Sequence, residues 1–221
     1  VIHNADEANP GVVTAPAMTQ ARFAELMEAG DSVVCDLKRY RDLLEAGNKH
    51  MNLVGPASLP DFWCRHALDS AQLLNLAPSA AVWADLGSGA GLPGIVLAIF
   101  LKERQGAHVH LVESMTKRCR FLEDVCKELK LPATVHNCRA EELTLAPEIV
   151  TARACAPMVK LLKFAAPYFQ RGARGLFLKG QDVRTELQLA QKDWNLNLKL
   201  YPSLSDSRGN IVSIERVTAI R

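Results

Sequence analysis

A chain of 221 residues, 48% apolar and 23% charged, can bury a full core and has the balance of a globular protein with one domain and an appendage. A formal net charge of +2 excludes a dedicated nucleic-acid clamp, so any RNA or DNA contact must rest on local basic patches. No apolar run approaches the ~20 residues that span a bilayer, and no basic segment followed by an apolar one marks a secretory leader. The cysteines Cys35, Cys64, Cys119, Cys126, Cys138 and Cys155 form no C-x-x-C pair. They read as buried or half-buried thiols in a reducing cytoplasm, and no metal site is expected.

Residues 1–18 are rich in Ala, Asn, Gly and Pro without periodicity and read as a disordered tail or a remnant of expression. Met18, just before the first helical pattern, suits a later natural start. Thr19 is placed to cap a helix with Phe23, Leu26 and Met27 on one face. A second helix is expected over 32–46, with Val33, Leu37, Tyr40 and Leu44 inward and Gly47 as its stop. A polar loop over 48–53 leads to a third helix over 59–76. Pro78-Ser79 then divides this helical cap, 19–78, from a sheet domain, 79–221.

Strands expected over 80–83, 108–112, 134–136, 149–152 and 175–178 alternate with helices over 95–101, 115–129, 159–169 and 183–193, the pattern of a parallel α/β sheet. Two further strands, 196–201 and 211–217, flank Ser207-Arg208-Gly209-Asn210 and read as an antiparallel hairpin. The expected fold is therefore α/β, a mostly parallel seven-stranded sheet closed by an antiparallel C-terminal hairpin and preceded by a helical cap.

Between the first strand and its helix lies Asp85-Leu86-Gly87-Ser88-Gly89-Ala90-Gly91-Leu92-Pro93-Gly94. Four glycines let the backbone turn sharply and approach a ligand, and Pro93 has its φ pre-set for a first helical turn. A nucleotide-like ligand over the end of the first strand is the functional reading; a glycine-rich connection without a ligand competes with it. Glu113, ending the second strand, can accept hydrogen bonds from ribose hydroxyls or be an ordinary strand-end charge. That position does not separate NAD from S-adenosylmethionine. Asp85 tips the balance, because a carboxylate there can receive the cationic amino-acid end of S-adenosylmethionine, directly or through water, and repels a pyrophosphate. An acid satisfied by the glycine-loop N–H groups is the competing reading for Asp85. The closing hairpin, of no use in a purely parallel dinucleotide fold, points the same way.

Seven pieces occur in series: Asn48-Lys49 with Asn52-Leu53, Arg65-His66-Ala67-Leu68-Asp69-Ser70, the glycine loop, Lys117-Arg118-Cys119-Arg120-Phe121-Leu122, Arg139-Ala140-Glu141-Glu142, Ala152-Arg153-Ala154 and Leu178-Lys179-Gly180. Together, over 43–180, they resemble the RsmG (GidB) family of class I, Rossmann-like methyltransferases, known for N7-methylation of a guanine in the decoding region of small-subunit ribosomal RNA. The sequence departs from the family in Gly47, where a tryptophan is usual, and in Glu113 and Glu148, where aspartates are commoner. The resemblance implies S-adenosyl-L-methionine as cofactor. It places Gly87 and Leu92 along the methionine and sulfonium side, Glu113 at the ribose, Ala140 and Glu141 at the adenine, and Arg153 near the cofactor carboxylate and the reaction centre. A rim ion pair of Arg153 with Glu141 or Glu148 is the alternative there.

Guanine N7 carries a lone pair and no proton, so attack on a methyl group needs positioning and no general base. Accordingly no catalytic acid or base is assigned. After the fourth strand stands Ala154-Cys155-Ala156-Pro157 instead of an N-P-P-type loop for exocyclic amines, and Cys155 is read as wall. Candidates for RNA contact are Lys49, Asn52, Arg65, His66, Lys117, Arg118, Arg120 and Lys179, each of which alone is as readily a solvated charge or a helix-face side chain. Asp69 and Ser70 are expected to fix the cap against the sheet, and Trp63 to be core. The expected partner is 16S ribosomal RNA or the small subunit, with no membrane and the chain acting as a monomer. A nicotinamide-dependent dehydrogenase and a non-catalytic cofactor-sensing RNA-binding module are the alternatives.

Overall fold

The computed structural model describes residues 17–220, so all but the end of the tail expected over 1–18 lies outside the described residues. Thr19 caps α1 (Gln20–Leu26), its Oγ1 accepting the Arg22 N–H at 3.2 Å. Phe23 and Met27 turn inward, but Leu26 is 49% exposed instead of joining them, because it ends a helix of 7 residues just before the chain turns. Helix α2 (Asp31–Asn48) buries Val34, Leu37, Tyr40 and Leu44 and runs through Gly47 where a stop was expected. That bare Cα faces Leu53 and Phe121; a Cβ on Gly47 would sit 2.9 Å from Leu53 Cδ1. The glycine serves close packing, and the helix ends a residue later. Cys35, on the solvent face of α2, is exposed, unlike the expectation of buried or half-buried thiols; all six cysteines are free.

The third helix is not uniform. A 3-10 turn (Pro56–Ser58) precedes a π-helical segment (Trp63–Leu68), which passes into α3 (Asp69–Ala71) and α4 (Leu73–Leu76). A π segment widens the turn and rotates the residues after it, and such insertions are frequent at functional sites. Here the widened turn carries Arg65 and His66 and leads directly to Asp69.

The sheet follows as β1 (Val82–Leu86), α5 (Gly94–Leu101), β2 (His108–Val112), α6 (Thr116–Leu129), β3 (Ala133–His136), β4 (Ile149–Arg153), α7 (Met158–Phe169), β5 (Arg174–Lys179), α8 (Val183–Ala190), β6 (Trp194–Pro202) and β7 (Asn210–Ala219). Its order is β3-β2-β1-β4-β5-β7-β6, with β1 to β5 parallel and β7 antiparallel to both β5 and β6. The last strand thus inserts between β5 and β6, leaving β6 at the edge. Glu148 laces β4 to β1, its Oε1 accepting the N–H groups of Ala81 and Val82 at 2.9 Å each.

Two cores flank the sheet. One joins Phe23, Leu37 and Tyr40 of the helical cap to Ile95, Leu111 and Phe121, so the cap and one sheet face share a single interior. The other packs Leu161, Leu162 and Tyr168 of α7 and Leu187 of α8 against Val150 and Phe177. Each fully buried Leu or Phe contributes about 1.5–3 kcal/mol, which is why the cap is held without a linker-like hinge. Strand order reverses between β1 and β4, and the loops after these strands diverge to leave a crevice at their carboxyl ends. No helix of the described residues is long and apolar enough to cross a membrane.

Candidate active site

The glycine loop leaves β1 with Gly87, Gly89 and Gly91 at φ of 69°, 56° and 95°. L side chains rarely adopt this left-handed region, so glycine is required. At Gly87 space is also short: a Cβ would lie 2.5 Å from Cys155 Sγ. Glu113, one residue past β2, reaches beneath the loop, 5% exposed. Its Oε2 accepts the Gly89 N–H at 2.9 Å and its Oε1 the Met115 N–H at 2.8 Å. A carboxylate has about four lone-pair positions, so Glu113 keeps acceptor capacity for a ligand.

Asp85 lies deeper than the sequence suggested. It is fully buried, with Oδ2 accepting the Gly94 N–H at 3.1 Å and Oδ1 without a partner. Burial pushes its carboxyl up to about 7, against the opposing pull of the Gly94 N–H. The geometry matches the reading in which a glycine-loop N–H satisfies the acid, for one of its two oxygens. Direct reception of a cationic ligand is not what the carboxylate is placed for: it is sealed beneath the loop and borders neither cavity described next.

Two cavities open at the crevice. The smaller, about 260 Å³, is bordered by Gly87, Glu113, Arg118, Ala140, Glu141 and Lys160 among others. The larger, about 850 Å³, lies between the cap, the ends of β4 and β5, and the connection from β6 to β7. Both are bordered by Ala154 and Cys155. Ala154 has φ of 50°, a conformation that costs a non-glycine residue about 1–3 kcal/mol and persists only where its surroundings enforce it. Burial, with help from the carboxylates of Asp85 and Glu113, raises the Cys155 thiol above its usual range, which suits a wall and not a nucleophile.

Arg153 ends β4 on the side of the larger cavity, 19% exposed. Its Nη1 donates to Arg65 O at 2.8 Å and to Asp69 Oδ2 at 3.1 Å, and its Nη2 to His66 Nδ1 at 3.2 Å. A guanidinium only donates, so Nδ1 of His66 is the acceptor and its proton sits on Nε2, 3.0 Å from Ser58 Oγ. Burial first, and then the positive charges of Arg153 and Arg65, depress His66 to about 4, so the ring is neutral. The ion pair of Arg153 is with Asp69, not with Glu141 or Glu148. On its other oxygen Asp69 accepts from Ser205 Oγ at 2.6 Å, and Gln72 binds Ser203 Oγ and the Leu204 N–H. Asp69 therefore does fix the cap, joining it to the end of β4 and to the β6–β7 connection together.

Of the residues expected around a cofactor, Gly87, Glu113, Ala140 and Glu141 are brought together at the smaller cavity. Leu92 packs into the core, 3% exposed, and Arg153 borders the larger cavity. Of the RNA candidates, Arg65, His66 and Lys179 border the larger cavity and Arg118 the smaller, with Arg118 Nη1 4.0 Å from Glu113 Oε2. Lys49, Asn52, Lys117 and Arg120 are exposed and border neither. Sequence reasoning missed the wall formed by Ser203, Ser205, Asp206 and Asn210, which carried only a turn signal. It gave Asn48 no role, yet the Asn48 Oδ1 accepts the N–H groups of Leu53 and Val54 at 2.9 and 3.0 Å and so shapes the cavity rim. Among the described residues no group of His, Cys, Asp and Glu is arranged to hold a metal ion.

Comparison with known proteins meets this geometry. The ribosomal RNA small subunit methyltransferase G of Caulobacter vibrioides (strain NA1000 / CB15N) is 58% identical over 214 residues, 96% of this chain and 99% of its own. That of Parvibaculum lavamentivorans is 44% identical over 196 residues, 87% of each chain. Among solved structures, a SAM-dependent methyltransferase from Aquifex aeolicus superposes with a TM-score of 0.56 at 12% identity, covering 76% of this chain and 97% of its own. The magnesium protoporphyrin IX methyltransferase from Synechocystis PCC 6803, solved with bound SAM, does so with a TM-score of 0.53 at 14% identity, covering 92% and 100%. These two speak for the fold, a class I methyltransferase sheet. The GidB family model, rRNA small subunit methyltransferase G, matches residues 34–212, and with relatives of this identity along nearly the whole chain, the protein belongs to that family.

Proposed function

We propose that the chain transfers a methyl group from S-adenosyl-L-methionine to N7 of a guanine in the decoding region of 16S ribosomal RNA, acting as a monomer in the cytoplasm. The observation that carries this reading is the meeting of the two cavities at Ala154 and Cys155, where a donor in the smaller would face a base in the larger. The residues present fit the cofactor. Gly87, packed against Cys155 where no Cβ fits, borders the smaller cavity with bare backbone, Glu113 offers a carboxylate for ribose hydroxyls, and Ala140 and Glu141 border the same cavity, where the adenine would lie. Leu92 backs the loop from the core, and Arg153 stands on the acceptor side of the partition. When bound, the cofactor supplies a sulfonium methyl open to in-line attack.

The acceptor side is short of free bases. His66 is neutral with both ring nitrogens engaged, Asp69 accepts from Arg153, Gln72 and Ser205, Glu186 accepts from Lys179 and the Met158 N–H, and the Arg208 N–H on Asp206 holds that carboxyl below its usual range. That suits an acceptor atom with a lone pair and no proton to lose. Arg65, Lys49 and Lys117 would position phosphates, and the base would enter the larger cavity flipped out of its stack. A dehydrogenase and a non-catalytic sensing module have no support, since the relatives named above are methyltransferases.

The test is transfer of labelled methyl from the cofactor to undermethylated small-subunit particles and to naked 16S RNA, with mapping of the product. Label at a single guanine N7 of the decoding region is expected. Label on another atom or another RNA, or none on either substrate, refutes the proposal.

A further inference from the structure

The segment between the end of β4 and the start of α7 forms the partition between the two cavities, yet nothing within it explains why it stays where it is. Ala154 holds a left-handed conformation without being glycine, and Cys155 Sγ presses on the glycine loop at Gly87. The restraint comes from the next β–α unit. Lys179, the last residue of β5, donates from Nζ to Ala156 O at 2.7 Å and to Glu186 Oε2 at 2.7 Å. Glu186, in the first turn of α8, accepts on that same oxygen the Met158 N–H at 2.7 Å. Met158 is the first residue of α7, where an N–H has no intrahelical partner and a carboxylate is favoured by the helix dipole. One lysine–glutamate pair thus grips the partition by a carbonyl on one side of Pro157 and by an N–H on the other.

We infer that Lys179 and Glu186 are positioning residues that set the partition at the height methyl transfer requires, and that Lys179 is not an RNA ligand. The inference rests on the methyltransferase reading given above. Lys179 is 9% exposed on its side chain and has committed its ammonium to two acceptors, whereas a lysine that neutralises a phosphate must present its charge to solvent. Both residues line the larger cavity, but their charges are spent on each other and on the partition, so they act through Ala156 and Met158. A reacting pair must approach to roughly 3–3.5 Å, and a displacement of about 1 Å costs on the order of 10²-fold in rate. Loosening the grip should therefore slow transfer and leave binding alone.

The experiment compares Lys179→Met, Glu186→Gln and the double variant Lys179→Met/Glu186→Met in the wild-type methylation assay. For Lys179→Met, kcat should fall on the order of 10²-fold, while KM for RNA and the affinity for S-adenosylhomocysteine stay within about threefold. The dependence of RNA KM on salt should keep the wild-type slope, since no phosphate contact is lost. Glu186→Gln should lower kcat less, because its amide oxygen still accepts the Met158 N–H. The double variant, free of any unpaired buried charge, should be no slower than Lys179→Met, and it carries the test if the single variant does not fold. A raised RNA KM with a shallower salt slope and unchanged kcat would make Lys179 a phosphate ligand and overturn the inference. So would wild-type kcat in the double variant. Absence of transfer by the wild type defeats the underlying reading instead, and the two failures are told apart by that control.

Discussion

Asp85 gives the sharpest test of how the glycine loop is built. The carboxyl is fully buried, holds the Gly94 N–H with one oxygen, and has no partner for the other. Burial raises it from 3.8 to about 7. Below about pH 4 the group is protonated in both folded and unfolded chains and contributes nothing to the pH dependence. Between about pH 4 and about pH 7 the unfolded chain releases a proton that the fold retains, so stability falls as pH rises. Above about pH 7 both states are ionised and the penalty is complete, on the order of 4 kcal/mol from the size of the shift. Asp85→Asn removes the ionisation and keeps an amide oxygen for the Gly94 N–H. It also places an NH2 where Oδ1 has no partner, a constant cost of about 1–3 kcal/mol. Urea unfolding of both proteins from pH 4 to pH 8 should therefore show the variant less stable in acid and gaining on the wild type through pH 7. A difference that does not change with pH, or one that moves in favour of the wild type, would show that Asp85 ionises freely in the fold and that the loop is not sealed over it.

Arg153→Ala should lower turnover by on the order of 10²-fold, because it releases His66, the Arg65 carbonyl and Asp69 together, while calorimetry with S-adenosylhomocysteine should show a smaller loss. Arg153→Lys should restore little, since an ammonium cannot span three acceptors in the plane of a guanidinium. Unchanged methylation kinetics in either variant would count against the assigned place of this residue. Lys117 and Arg118, neighbours in sequence, should separate: Lys117→Ala raises RNA KM and flattens its salt dependence, whereas Arg118→Ala weakens S-adenosylhomocysteine, because only Arg118 borders the smaller cavity. Equal effects of the two on RNA KM would refute that division.

The strands and the glycine loop were legible because each is a local signal. Glycines at 87, 89 and 91 follow from the turn they must make, and Glu113 from its place at the end of β2. The alternation of strand and helix also carried the sheet. The acceptor side was less legible, since it is made of contacts between distant segments. Arg153 meets Asp69 and His66 across more than 80 residues, and Ser205 meets Asp69 across 136. Periodicity shows which face of a helix is buried and says nothing about which charge lies opposite. Lys179 is a case in point: an exposed basic residue and one locked to Ala156 and Glu186 have the same sequence signature. The π-helical turn at Trp63–Leu68 left no compositional trace either, because it changes the phase of a helix and not its residues.

The threading of β7 between β5 and β6 bears on when the site comes into being. Strands β2 to β5 each pair with a neighbour already made, but β6 has none until β7, the strand that follows it, inserts beside β5. Ser203 and Ser205, which answer Gln72 and Asp69 of the cap, and Asn210, which walls the larger cavity with them, come only with the β6–β7 connection and the start of β7. During synthesis the residues that line the smaller cavity are all made once α7 has been, some tens of residues before the last of those that line the larger one. A growing chain thus has the walls of the cavity proposed for its cofactor well before those of the cleft proposed for the base.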